Sequence, residues 1–69
     1  MATLNQRFGN NLTKLRKKKK LSQLDLAHKA GLNVSTINGL ENGKREPMLK
    51  TIWRLANALK LDMSRLVDF

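Results

Sequence analysis

Residues 21–43 read LSQLDLAHKAGLNVSTINGLENG and contain the strongest secondary-structure signals of the chain. Apolar residues recur at helical spacing in two short segments, one on each side of Gly31. A glycine directly after a helix commonly takes the left-handed backbone conformation that ends the helix. The stretch therefore predicts two short helices joined by a tight turn, which is the arrangement of a helix-turn-helix motif.

The first helix of this pair carries its own start signal. Ser22 stands at the position of an N-terminal cap, and Asp25 follows three residues later in the spacing of a capping box. Leu26, Ala27 and Ala30 form the inner face. Because two helices approach closely only where side chains are short, the alanines predict a tight contact with a neighbouring helix.

The second helix of the pair begins after Asn33, a residue type that favours N-terminal caps. Ile37 and Leu40 are its periodic apolar pair, and Gly43 follows as a terminator. The helix is therefore predicted to end at Leu40 or Glu41. In helix-turn-helix motifs that bind DNA, this second helix lies in the major groove.

Three further helices flank the pair. One runs from about residue 5 to 18 after a cap at Thr3 or Asn5, and its inner residues are Leu4, Phe8, Leu12 and Leu15. Another spans about residues 48–59, with the inner residues Leu49, Ile52, Leu55, Ala56 and Leu59. A short last helix, capped by Asp62, returns three residues to the core, namely Met63, Leu66 and Val67. Residues 1–69 are thus expected to form a single all-α domain of five helices.

The chain is strongly basic. Its 14 Lys and Arg residues against 5 Asp and Glu residues give a net charge of +9 at pH 7, and residues 1–20 contain no acidic residue. A polyanionic partner is expected, because neutralising phosphates releases condensed counterions. A solvated basic surface without such a partner is the alternative explanation.

Enzyme, metal and membrane functions find little support in the sequence. The chain has no cysteine and a single histidine, His28, with no carboxylate pair beside it, so we expect no catalytic group, metal site or cofactor. No apolar stretch approaches the roughly 20 residues that a membrane span needs, and no signal peptide is recognisable. We expect a cytoplasmic protein that is not an enzyme.

In its motifs the chain resembles the lambda-repressor-like (XRE/Cro-type) helix-turn-helix family, over about residues 5 to 68. The residues that carry the resemblance are Phe8-Gly9, Leu15-Arg16, Leu21-Ser22-Gln23, Leu26-Ala27, Ala30-Gly31-Leu32, Ser35, Ile37, Glu41-Asn42-Gly43-Lys44, Pro47, Leu55-Ala56 and Ala58-Leu59. Each motif is short, and the specificity lies in their order and spacing. The resemblance implies a five-helix, bacterial or phage-encoded domain that binds operator DNA, commonly as a two-fold dimer.

The resemblance implies that the third helix reads the bases. Val34, Ser35, Asn38 and Gly39 occupy the positions that face DNA bases in the family. The same set follows by elimination, since the apolar residues of this helix must face inward. Asn38 offers the donor and acceptor that pair with adenine, whereas Gly39 offers no side chain for readout.

Phosphate contacts are expected at both ends of the motif. Ser22 and Gln23 match the family's phosphate clamp at the start of the second helix, where free N–H groups suit an anion. After the third helix, Asn42, Lys44 and Arg45 match a second phosphate-binding segment. For each of these residues, a cap or a solvated loop is the alternative explanation.

The resemblance also implies an ion pair between Arg16 and Glu41, which links the first helix to the end of the third. We expect this pair to be partly buried and to hold the recognition helix at its angle, with Arg16 also facing a DNA phosphate. Removing one partner costs about 3–5 kcal/mol in a buried pair and about 0–1 kcal/mol in an exposed one.

An apolar surface near the C-terminus is expected to bind a protein partner. Its members are Trp53, Met63, Leu66, Val67 and Phe69. By resemblance this region forms a homodimer seam, and for Trp53 a place at the rim of the core is an equally good explanation. A toxin or another protein is the alternative occupant.

Together these features predict a sequence-specific, double-stranded DNA-binding transcriptional regulator, a repressor that acts as a homodimer on an inverted-repeat operator. The alternative with the same fold is an antitoxin of a toxin-antitoxin operon or a controller of restriction-modification genes. A third hypothesis, an adaptor that has lost DNA affinity, is favoured by Gly39 and opposed by the net charge and by Gln23, Asn42 and Lys44.

Overall fold

The computed structural model describes all residues from 1 to 69 and contains helices and no strands. The five helices are α1 (Leu4–Lys18), α2 (Gln23–Ala30), α3 (Val34–Glu41), α4 (Leu49–Leu59) and α5 (Met63–Leu66). This confirms the expected all-α architecture, and each boundary lies close to the predicted one. No helix is both long and apolar enough to span a membrane.

The helix starts differ in how they are capped. The Thr3 hydroxyl accepts the backbone N–H of Gln6, whose side chain accepts the N–H of Thr3, and Ser22 and Asp25 form the same reciprocal box at α2. Asn33 precedes α3 as predicted, but its side chain makes no capping hydrogen bond, and the same is true of Asp62 before α5. The Ser22–Asp25 contacts also hold the pKa of Asp25 below its ordinary value, the hydrogen bond with the Ser22 backbone being the largest cause.

Removing the Ser22 cap is expected to cost about 1 kcal/mol of stability, because a backbone N–H loses its intramolecular acceptor. Ser22→Ala is the test, and Asn33→Ala is the matched control, since the Asn33 side chain makes no such bond. Urea unfolding of the DNA-free protein measures both. Equal losses in the two variants would contradict this assignment of the caps.

Gly31 ends α2 as predicted. Its φ of +68° lies in the left-handed region that favours glycine, and its N–H bonds the carbonyl of His28. The backbone then turns within three residues into α3, which sets the angle between the two helices of the motif.

The core is one cluster of buried apolar side chains beneath the helix pair. Its members are Phe8, Leu12, Leu15, Leu26, Ala27, Ala30, Ile37, Leu40, Leu55, Ala56, Leu59 and Leu66. Helix α3 packs on α1 and α2, α4 packs on α2, and α5 closes the far side against α1 and α4. At Gly9, α1 approaches α3 so closely that an added Cβ would lie 2.6 Å from the carbonyl oxygen of Glu41.

Three apolar residues that were predicted to face inward are exposed instead. Leu4 and Leu49 are the first residues of α1 and α4, so their side chains project beyond the edge of the core. Val67 follows the short α5 and is also exposed. A helical stripe predicts which face points inward, but it does not predict where along the helix the neighbouring element ends.

Candidate nucleic-acid interface

The ion pair between α1 and α3 is present and buried. Arg16 Nε donates to Glu41 Oε2 at 2.6 Å, and Nη2 donates to Glu41 Oε1 at 3.1 Å. Nη1 donates to the backbone oxygen of Leu21 at 2.8 Å. The Arg16 and Glu41 side chains are only 10% and 4% exposed, so the expectation of partial burial was wrong. The pair ties the end of α3 to α1 and to the turn before α2.

The hydrogen bonds of this pair keep both groups charged. Burial by itself raises the pKa of Glu41, but hydrogen bonds from Arg16, Gln23 and Thr13, together with the charge of Arg16, outweigh it and hold that pKa below its ordinary value. The hydrogen bond to Glu41 raises the pKa of Arg16 by more than burial lowers it. The structure therefore contains a charged carboxylate–guanidinium pair between α1 and the last residue of α3.

Acid is expected to weaken the fold through Glu41. A carboxyl group whose pKa is lowered by folding contributes stability above its unfolded-state pKa, here about 4.5, and loses it as the pH falls through the folded-state value. The free energy of unfolding, measured with urea from about pH 7 to about pH 3, should drop below about pH 4.5. In Glu41→Gln the drop should be smaller, because the titrating group is gone, and an equal drop would count against this account.

A chain of hydrogen bonds runs from the ion pair to the outer face of α3. Gln23 Nε2 donates to Glu41 Oε1 at 3.1 Å, and Asn38 Nδ2 donates to Gln23 Oε1 at 3.4 Å. Asn42 Nδ2 then donates to Asn38 Oδ1 at 3.1 Å. The structure thus brings together a predicted phosphate contact, Gln23, and a predicted base contact, Asn38, and connects both to the buried pair.

The outer face of α3 is open at three of the four positions predicted to face bases. Val34, Ser35 and Asn38 are exposed. Gly39 is only half-exposed, because the side chain of Arg45 lies over it. The face therefore presents one methyl-bearing side chain, one hydroxyl and one amide.

The predicted phosphate contacts lie at the start of α2 and in the segment after α3. Ser22 is exposed and Gln23 is half-buried at the N-terminus of α2, while Asn42 and Lys44 are exposed in the loop after α3. Arg16 differs from them, because each of its guanidinium nitrogens donates to a protein oxygen and little of the group is left for a phosphate. Lys17–Lys20 are also exposed, beside the same end of α2.

The contact between Arg45 and α3 was not predicted. Arg45 Nη1 donates to Thr36 Oγ1 at 2.9 Å, so the side chain folds back from the loop along the helix. No contact was predicted for Thr36, because it neither belongs to the apolar stripe of α3 nor matches a family motif. The only signal was indirect: Gly39, three residues after Thr36, leaves room on that side of the helix.

The residues predicted to form a partner surface are only partly exposed. Trp53, Val67 and Phe69 are exposed, and Met63 is half-buried against the core. Leu66 was wrongly placed on this surface, because its side chain is buried in the core of this chain. It packs there because α5 is anchored to α1, where Asn11 Nδ2 donates to the backbone oxygen of Leu66 at 3.0 Å.

Two leucines complete this surface in place of Leu66. We define the apolar patch as the exposed residues Leu4, Leu49, Trp53, Val67 and Phe69. Three of them, Leu4, Val67 and Phe69, line a groove of about 350 Å³ together with Ile52 of α4. Leu49 and Trp53 lie one turn apart on α4, the helix that contributes Ile52 to the groove. The apolar patch is therefore built from elements other than α2 and α3.

Comparison with known sequences places the chain in a family. The model of a helix-turn-helix family, HTH_3, matches residues 12–66. YqaE, an uncharacterized HTH-type transcriptional regulator of Bacillus subtilis (strain 168), is 38% identical over 60 residues, which are 87% of this chain and 52% of YqaE. The immunity repressor protein of Bacillus phage phi105 is 36% identical over 59 residues, 86% of this chain and 41% of the repressor. The chain thus spans about half the length of these relatives.

A solved structure agrees in both sequence and fold. The restriction-modification controller protein C.AhdI from Aeromonas hydrophila superposes with a TM-score of 0.88 and is 40% identical, with 90% of this chain and 94% of C.AhdI covered. The motif of α2 and α3, the five-helix core and the family match over most of the chain lead to one conclusion. The chain belongs to the lambda-repressor-like helix-turn-helix family.

Proposed function

We propose that this chain is a sequence-specific, double-stranded DNA-binding transcriptional regulator. The observation that carries the proposal is the geometry around α3, whose outer face is open at Val34, Ser35 and Asn38. Gln23 at the start of α2 and Asn42 after α3 both hydrogen-bond to Asn38 on this face. A groove-binding helix flanked by phosphate contacts requires this arrangement. The net charge of +9 supplies the non-specific attraction.

Base readout is assigned to three side chains of α3. Val34 is suited to contact a thymine methyl group, Ser35 donates or accepts at a base edge, and Asn38 pairs with the N6 and N7 atoms of adenine. Because Asn38 Oδ1 accepts a hydrogen bond from Asn42, the amide orientation is set before DNA arrives. Gly39 contributes to the face by its small size.

Phosphate contacts are assigned to Ser22 and Gln23 at the start of α2 and to Asn42 and Lys44 after α3. Gln23 bridges Glu41 and Asn38, so a phosphate bound there is coupled to the residue that reads adenine. Arg16 acts as a positioning residue: its donors hold Glu41 and the backbone of Leu21, and its effect on DNA passes through the angle of α3.

The active species is proposed to be a homodimer that buries the apolar patch. Two copies related by a two-fold axis place their α3 helices about 34 Å apart, one turn of the duplex, and so match an inverted repeat. Bound over a promoter, the dimer represses by competing with polymerase. Repression, as opposed to activation, is favoured by the likeness to the immunity repressor protein of phage phi105.

Control of restriction-modification genes is the second candidate function. The observation in its favour is the likeness to C.AhdI, which is 40% identical and superposes with a TM-score of 0.88. Under either function the chain works in the cytoplasm, associated with the nucleoid when bound, and neither function requires a catalytic step, a cofactor or a metal.

Selection of bound duplexes from a random library at about 0.15 M salt tests the proposal. We expect an inverted-repeat motif that binds more tightly than a scrambled control. Binding that enriches no motif and falls steeply with salt would refute sequence-specific regulation.

Trp53→Glu serves as the dimer test. It should move the free protein from twice 7.9 kDa to 7.9 kDa in sedimentation and weaken operator binding. A wild type that sediments at 7.9 kDa when free and binds the operator as a single copy would refute the dimer.

A further inference from the structure

The side chain of Arg45 occupies the place on α3 that Gly39 leaves empty. A Cβ added to Gly39 would lie 2.7 Å from Arg45 Cγ and 2.8 Å from Arg45 Cδ, which is closer than carbon atoms pack. Only glycine at this position allows the aliphatic part of Arg45 to lie flat on the helix. The aliphatic part of Arg45, a residue of the following loop, thus fills the space on α3 where Gly39 has no side chain.

The path of Arg45 is held at both ends. The backbone N–H groups of Lys44 and Arg45 both donate to the Gly39 carbonyl, at 2.9 Å and 3.2 Å, which keeps the loop against the helix. At the other end, Nη1 donates to Thr36 Oγ1 at 2.9 Å. Thr36 lies in the first turn of α3, next to Ser35, so the guanidinium is carried back along the helix towards its N-terminal turn.

This location distinguishes Arg45 from the phosphate contacts. Lys44 stands at the C-terminal end of α3, whereas the Arg45 guanidinium lies beside the first turn, and recognition helices contact base edges with their N-terminal residues. Contact with Thr36 uses one donor of Arg45 and leaves the others free. A planar guanidinium held in this way matches the O6 and N7 acceptors of guanine.

We propose that Arg45 is a specificity-determining residue that reads a guanine in each half-site of the operator, and that Gly39 and Thr36 position it. The family resemblance implied a phosphate contact for Arg45, whereas the position of its guanidinium beside the first turn of α3 favours a base contact. This inference rests on the proposed function, since it requires that α3 enters the major groove.

The test compares library selection by the wild type with selection by four variants. In Arg45→Ala the preference for one guanine in each half-site should fall about 10- to 100-fold, with other positions unchanged. Arg45→Lys keeps the charge but lacks the planar pair of N–H donors that matches guanine, so it should lose the same preference. Gly39→Ala keeps the charge and displaces Arg45 from the helix, so it should relax the same position. Lys44→Ala is the control for a phosphate contact: it should weaken binding to all sequences alike and lower the salt slope by about 1.

The outcomes separate this inference from the proposed function. If the wild type enriches a motif and Arg45→Ala binds all sequences more weakly without changing any preference, Arg45 contacts phosphate and the inference is overturned. If Gly39→Ala keeps the full guanine preference, the positioning role of Gly39 is overturned. If the wild type enriches no motif, the proposed function fails, and the role of Arg45 fails with it. Thermal melts of each variant show whether the fold is intact.

Discussion

Glu41→Ala is expected to destabilise the protein by about 3–5 kcal/mol, a large share of the about 5–15 kcal/mol that stabilises a typical domain. The substitution leaves the guanidinium of Arg16, only 10% exposed, without its counter-charge and without two of its hydrogen-bond acceptors. It also removes the acceptor of Gln23 Nε2. The cost thus comes from an uncompensated buried charge more than from the loss of the attraction itself.

The double variant Arg16→Met/Glu41→Leu is the matched control. It removes both charges and fills the space with apolar side chains, which commonly restores most of the stability that a single substitution loses. Urea unfolding at pH 7 measures both variants. If the double variant is as unstable as Glu41→Ala, the pair itself stabilises the fold. If Glu41→Ala costs under about 1 kcal/mol, the pair behaves as an exposed one and its burial is contradicted.

The local features of the fold were predictable because neighbouring residues determine them. The capping box of Ser22 and Asp25 and the left-handed turn at Gly31 depend on residues within four positions, and the structure contains both. The inward positions of Ile37 and Leu40 follow from the period of the helix alone. Exposure at helix ends was not predictable in this way, as Leu4 and Leu49 demonstrate, because it depends on where another element stops.

The candidate site was predictable only in outline. The residues on the outer face of α3 follow from which residues must face inward. The contact between Arg16 and Glu41 joins positions 25 residues apart, and it came from family resemblance and not from any period in the sequence. The path of Arg45 over Gly39 was not predicted. A glycine in a helix leaves space beside it, but the sequence does not indicate which other residue fills that space.

Gly9 was recognised only as part of a family motif, yet its size is a strict requirement of the structure. A Cβ at Gly9 would meet the backbone carbonyl oxygens of Leu40 and Glu41, the latter at 2.6 Å, so helix α1 would have to move away from α3. Alanine favours a helix over glycine by up to about 1 kcal/mol. Overpacking a core costs about 1–3 kcal/mol, and here the atoms that must yield belong to the backbone of another helix. We therefore expect Gly9→Ala to destabilise the protein by about 1–3 kcal/mol despite its better helix propensity.

Gly39→Ala is the control for Gly9→Ala, because it makes the same substitution inside a helix but meets the flexible side chain of Arg45 instead of backbone. Its stability should be unchanged or slightly raised. In thermal melts, where 1 kcal/mol shifts the Tm of a domain this size by about 4–8 °C, Gly9→Ala should melt clearly below Gly39→Ala. Equal Tm values would mean that α1 moves aside at no cost. A loss confined to Gly9→Ala, together with weaker operator binding, would establish that close packing of α1 against the end of α3 holds the recognition helix in place.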